Sequence, residues 1–264
     1  MANLGIWRSI TQVGTYEPFE LQVSRGQIQG HRNVTIFGFN PDVDQNQVSV
    51  WPLQSLITFP AAALQMTVSS SSANDTSAGT GARTIVVQGL DANYNEISET
   101  VTMNGQTAVT MTAAFLRVNY AYVLTAGSGN GAAGDIYIGT GTVTAGVPAT
   151  VYDIIKTDYN TTTTGSYTIP AGYTGYMSQG LFSAGQVSGS TQVQGRLMTR
   201  GTDNIRRTVA ITTLNNGVAD YVFEYPLEIP EKTTVEATAI GSANNNACSS
   251  MFIILLVQNY MQGS

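Results

Sequence analysis

At 264 residues the chain can hold one large β domain or two of ordinary size, with enough length to bury a core in either. Only 11% of the residues are charged, against roughly a quarter in typical soluble proteins, which argues against an enzyme that needs many titrating groups. With Lys+Arg 11 against Asp+Glu 17, a formal charge of −6, the electrostatic footprint of a nucleic-acid binder is missing.

Residues 1–47 read as an extended N-terminal arm. Gly14, Gly26, Gly30 and Pro41 punctuate it too often for long elements, leaving extended pieces such as Val34–Phe39. Its large groups, Trp7, His31, Phe37 and Phe39, need burial and are candidates for packing on a shell or a sister subunit. The first residues lack a basic region followed by an apolar one, so no cleavable signal is expected and synthesis in the cytoplasm is.

Residues 48–160 read as a first β-sandwich domain. A short strand ends at Pro52, a helical turn or loop spans 53–64, and a strand resumes at 65–69 before a flexible polar loop, SSSSANDTSAGTG. The clearest element is a hairpin over 79–104. Thr84–Val87 is apolar on both faces, as in a central strand, whereas Ile97, Val101 and Met103 alternate with Ser98, Thr100 and Thr102. Glu99 falls on the apolar side, and Asp91, Asn93 and Asn95 supply turn chemistry. In the next run Leu116, Val118, Tyr120 and Tyr122 line one face. About seven strands at roughly ten-residue spacing suit a sandwich.

The polar tract 160–164 (NTTTT) marks a boundary at 155–165, and residues 161–264 read as a second, jelly-roll-like sandwich. Strands are expected at 166–176 (split by a turn at Pro170 and Gly172), 192–199, 208–214, 221–227, 233–240 and 251–257. Tyr221, Phe223, Tyr225 and Leu227 would share a face as the aromatic half of a core. MFIILLV (251–257) suits a central strand and is far short of the roughly 20 residues of a membrane span. The fold class is thus all-β: two sandwiches preceded by an arm.

Chemistry is sparse. The one histidine, His31, has no acidic neighbour in sequence, and Cys248 precedes the most apolar strand, where thiols are inert and no disulfide can form within the chain. The loops opening at Asp42 and Asp91 start like calcium loops, but Gln47 and Glu96 replace the needed glycine, and Leu53 and Thr102 replace the bidentate glutamate. Glu96/Glu99 and Glu224/Glu228 are the close acidic pairs a glycosidase would need, without a recognisable context. Arg196, Arg200, Arg206 and Arg207 read as paired charges on a solvated strand edge. Tyr167, Tyr173 and Tyr176 around one turn could offer a glycan-stacking platform. No catalytic, cofactor or metal residue is assigned.

Residues 59–109 and 126–149, together with IPAGYTG (169–175), resemble virion-associated proteins of tailed bacteriophages of aquatic bacteria, cyanobacteria among them. The resemblance implies a non-enzymatic virion protein assembled in the host cytoplasm. Capsid decoration (cement) proteins are similar in size and all-β content, which implies the major capsid protein as partner and, at icosahedral three-fold positions, a homotrimer. No cofactor, nucleic acid or membrane partner is implied. Neck, tail or fibre proteins and host-glycan adhesins remain open.

Overall fold

The structure, a computed structural model, describes residues 17–186 and 191–259. It is all-β apart from one short helix, α1 (Phe19–Ser24), among the described residues. The sixteen strands fall into four antiparallel sheets.

Two sheets are built from one uninterrupted stretch. β3 (Leu64–Ser70), β6 (Val109–Phe115), β8 (Ile136–Thr144) and β9 (Val147–Ile155) pair in the order β6-β3-β8-β9, and β4 (Ala82–Leu90) lies between β5 (Glu96–Thr102) and β7 (Arg117–Ala126). The inner faces meet in a core of Met66, Val68, Ile85, Val87, Phe115 and Ile138. The expected hairpin is β4–β5, in register from Thr84↔Thr102 to Leu90↔Glu96. β4 is central, and its apolar run Ile85–Val87 is buried on both faces while Gln88 is exposed on the outer one. Asp91 caps the turn by accepting the amides of Asn93 and Asn95, both at 2.8 Å, while Tyr94 takes φ 64°. Glu99 does not open the core: its carboxylate accepts the amides of Thr112 and Ala113 at 2.9 and 2.7 Å, tying β5 to β6 of the other sheet.

The other two sheets share a second core that includes Ile36, Val43, Met177, Phe182, Leu197 and Phe252. One sheet has the order β1-β16-β11-β14: β1 (His31–Val43), β16 (Asn246–Gln258), β11 (Tyr173–Gln186) and β14 (Gly217–Ile229). Its partner has the order β10-β15-β12-β13: β10 (Ser166–Thr168), β15 (Thr234–Gly241), β12 (Val193–Arg200) and β13 (Arg206–Leu214), with β2 (Val48–Ser49) also on β15. The apolar run of β16 is central, between β1 and β11.

The arm expected over 1–47 is thereby corrected. From His31 to Asn40 it pairs continuously with β16, and residues 31–49 belong to the core of the C-terminal sheets. The inward positions of β1 include Gly38 and Asn40, which mask the strand period. Gly38 is required because a Cβ there would meet the Gly165 Cα and the Val50 carbonyl at 2.6 Å. Asn40 is buried but satisfied, donating to the Ser49 carbonyl at 3.2 Å and accepting the Asp42 amide at 2.9 Å. The β3–β9 unit is thus inserted between β2 and β10, with β9 ending at Ile155 and β10 beginning at Ser166.

Several local expectations change for physical reasons. Residues 53–63 form no helical turn; they cover a small third core of Trp51, Ile57 and Ile154. The loop read as flexible is organised by Asp75, which is fully buried and accepts the Ser70 hydroxyl (2.5 Å) and the amides of Ala82, Ala133 and Gly134 (2.6, 2.8 and 3.0 Å). The threonine tract is also pinned, with Thr162 and Thr163 buried and the Thr163 carbonyl accepting the Phe39 amide at 3.0 Å. In β14 the expected face holds at Phe223 and Leu227, which pack against the core, but the register slips between Leu227↔Met177 and Val222↔Gln179, and Tyr225 is turned out, 83% exposed.

Candidate functional site

Among the described residues, a groove of about 650 Å³ lies between the inserted unit and β1. Residues 32–37 of β1 form one wall, and the outer face of the β5-β4-β7 sheet forms the other, through Gln88, Ser98 and Tyr120. Thr161–Thr164 close the bottom, where the buried Thr163 hydroxyl has no hydrogen-bond partner.

A bulge in β7 shapes this wall. Gly89 pairs with Val118 but Gln88 pairs with Tyr120, leaving Asn119 over. Val118 faces the core before the bulge and Ala121 and Val123 face it afterwards, which turns Tyr120 and Tyr122 outward with their rings 5.7 Å apart. The expected single face Leu116–Val118–Tyr120–Tyr122 is therefore split, because a bulge leaves no mark in an alternating pattern. The extra residue is used: Asn119 donates to the Thr168 carbonyl and accepts the Thr168 amide, both at 3.0 Å, like one rung of a ladder between the two units.

A charged contact lines the groove. Arg32 of β1 pairs with Glu96 of β5 and lies over the Tyr173 ring at 5.1 Å. Burial works against its charge, but the Glu96 hydrogen bond prevails and holds the Arg32 pKa above its ordinary value. Outside the groove lining, the Phe59 ring meets the Arg117 guanidinium at 4.5 Å and that of Arg200 at 4.4 Å, cation–π contacts between the inserted unit and β12.

The candidate interface residues do not converge. Trp7 lies outside the described residues. His31 donates through Nδ1 to the Gln29 carbonyl at 2.9 Å, with Phe19 edge-on at 6.0 Å. Phe37 is 49% exposed at the groove mouth, and Phe39 packs edge-on against Tyr159 at 6.3 Å. Nor do the three tyrosines form one platform. Tyr167 is buried, and burial pushes its hydroxyl pKa up to about 12; Tyr173 packs inward beneath Arg32; Tyr176 stands on the opposite face of β11. Sequence reading missed Arg32, Gln88, Asn119 and Tyr120, whose convergence depends on the insertion and the bulge.

Other reactive groups serve the fold. Glu96 is taken by Arg32 and Glu99 by the β6 backbone, so they are not an acidic pair. The arginine cluster is not a solvated edge: Arg200 and Arg206 bind the fully buried Glu236 at 2.7 and 3.0 Å, and only Arg207, paired with Asp203, is exposed. Burial raises the Cys248 thiol pKa to about 12, leaving it unreactive at neutral pH. Among the described residues, no three His, Cys, Asp or Glu side chains cluster as metal ligands would.

No family model and no curated protein matches the chain. Among solved structures it is similar to the VP2 subviral particle of infectious bursal disease virus, at 12% identity and TM-score 0.23 over 88% of this chain and 73% of that one. It is similar to the Gx strain of the same virus at 14% identity and TM-score 0.24, over 88% and 72%. Scores this low carry no argument, and the fold and role of the chain rest on its own strand order and surfaces.

Proposed function

We propose that this is a non-enzymatic structural protein of a virus particle, a decoration protein that binds the outside of a tailed-phage head and stabilises its lattice. Strand order carries the reading. Numbering β1 and β10–β16 as strands one to eight, the two C-terminal sheets run 1-8-3-6 and 2-7-4-5, the order of a double-sheet jelly roll, an architecture that capsid proteins use. Fold alone does not assign function. Exposed apolar residues on and beside the edge strands β13 and β14 add to it, since Ile205, Val209, Ile211 and Val218 are 37–64% exposed and suit burial against a neighbour. The sparse charge of the chain keeps such burial cheap.

The partners in this reading are the major capsid protein and two further copies about an icosahedral three-fold axis. Binding only the assembled lattice stabilises it by mass action. Immunogold labelling of particles and copy number from quantitative gels test the proposal. Hundreds of copies spread over the head are expected. A dozen or fewer at one vertex would move the protein to the neck, tail or fibre, and absence from purified particles would overturn the virion reading. The exposed Tyr120 and Phe37 beside Gln88 and Ser98 favour a second reading, a glycan-binding adhesin, which glycan-array binding by the isolated protein would support.

A further inference from the structure

The edge of β1 that borders the groove is open. Just before the strand Gly30 accepts the Gln258 amide at 2.7 Å, and register with β16 runs unbroken from His31 to Asn40, so even-numbered residues bond to β16 and odd-numbered ones turn their N–H and C=O away from it. At the two ends these groups are taken: the His31 amide donates to the Ile28 carbonyl at 3.3 Å, and the Phe39 amide to the Thr163 carbonyl at 3.0 Å. Between them Asn33, Thr35 and Phe37 have no backbone partner on that edge among the described residues. The run NVTIFGF (33–39) carries no charge, proline or bulge, the devices that usually close an edge. Arg32 and Thr163 line the groove beside either end of this edge, and each has a buried polar atom, Nε and Oγ1, without a partner among the described residues. The charged lining residues, Arg32 and Glu96, neutralise each other.

We propose that the groove binds an extended, uncharged segment of a partner protein, which pairs with Asn33, Thr35 and Phe37 as an added strand of the β1-β16-β11-β14 sheet. The free donors and acceptors of this edge recur every second residue, about 6.6 Å, which is the repeat of another extended backbone. From Asn33 to Phe37 the edge spans about 13 Å, room for about five residues of a strand. The groove, at about 650 Å³, is of ligand-cleft size. The opposite wall decides between occupants. An edge strand of a second copy arrives with its own sheet and meets the outer face of the β5-β4-β7 sheet across the groove, whereas a single segment has no sheet behind it. Side chains of the segment alternate. Those turned to the inserted unit meet Gln88, Ser98 and the Thr163 hydroxyl and suit Ser or Thr; those on the outward face lie beside the exposed Phe37 and suit a β-branched apolar residue. With Arg32 and Glu96 already paired, a charged side chain in the groove would lose water without gaining a partner. The inference stands apart from the virion reading, since it concerns what this edge binds wherever the protein resides.

The probe is a fluorescein-labelled, end-blocked peptide of alternating Thr and Val, TVTVTVT, titrated onto the full chain and followed by fluorescence anisotropy and by amide hydrogen exchange. Saturable binding is expected, with slowed exchange at the Asn33, Thr35 and Phe37 amides. N-methylation of one alternate set of the peptide's amides is expected to weaken binding about ten-fold or more, and of the other set to leave it unchanged, because an added strand bonds along one side only. Thr35→Pro removes an edge donor that β16 does not use, where proline is tolerated, and is expected to weaken the probe roughly ten-fold. If this variant does not fold, the methylated peptides on the parent protein decide. No binding at about 1 mM probe, or equal loss from both methylated sets, overturns the proposal. Displacement of the probe by a neutral oligosaccharide such as maltoheptaose overturns it in favour of a glycan. Self-association of the parent that Thr35→Pro abolishes overturns it in favour of a second copy, and probe binding only after removal of residues 1–16 overturns it in favour of the chain's own segment.

Discussion

Glu236 has no access to water, yet its carboxylate is matched on every side: Arg200 at 2.7 Å, Arg206 at 3.0 Å and the Ser49 hydroxyl at 2.7 Å. Removing one member strands the others, because a buried charge without a partner keeps its desolvation cost. Glu236→Gln is therefore expected to lower stability by about 3–5 kcal/mol in urea unfolding. Asp153 is the opposite case, buried with no cation beside it. Desolvation pushes its pKa up to about 7, against the hydrogen bonds from Thr164 and the Ile154 amide. Between its unfolded value, about 3.9, and 7 the folded state binds more protons, so stability falls as pH rises through this window and levels off above it. Asp153→Asn is expected to remove a pH-dependent loss on the order of 4 kcal/mol, seen as unfolding midpoints that diverge from the parent's between pH 4 and 7. Asp135 acts at the acid end: burial opposes its ionisation, but Lys156 and Thr157 prevail and hold its carboxyl below the usual range.

At the scale of elements, the β7 bulge links sequence to site. It depends on Gly89, where a Cβ would meet the Arg117 carbonyl oxygen at 2.0 Å and the Phe115 ring at 2.8 Å. Gly89→Ala must push β7 away from β4, and a loss of roughly 1–3 kcal/mol is expected in denaturant titration. The same change would turn Tyr120 and shift its fluorescence, because the bulge sets its direction. Asn119→Ala is expected to cost about 1–3 kcal/mol by leaving the Thr168 amide and carbonyl without their partner. The Arg32–Glu96 pair, with both side chains more than 40% exposed, is screened by solvent, and its removal should change stability by less than about 1 kcal/mol.

For the whole molecule, the two main cores draw on different strands, and the inserted unit closes its own. Residues 61–157 produced alone are accordingly expected to unfold cooperatively as a monomer, measured by circular dichroism during heating. A non-cooperative trace would mean that Arg117, Phe59 and Asn119 bind this unit to the C-terminal sheets more tightly than the separate cores imply. The reverse experiment is harder, because the C-terminal core needs Ile36, Val43, Val48 and Val50 from before the insertion.

Composition and period by themselves determined the all-β character, the β4–β5 hairpin and its turn, the central position of 251–257 and the inertness of Cys248. Each depends on local patterning or on residue types that act within a few positions of themselves. Tertiary structure alone decided that 31–43 is one long strand, that Tyr225 leaves the core face of its own, and that Arg200 and Arg206 bind a buried glutamate. Pairing across more than two hundred residues, as in Phe37↔Met251, leaves no local period. Bulges shift a side chain's face without changing its neighbours in sequence. The groove follows from both, since its walls come from β1 and from the unit inserted after it.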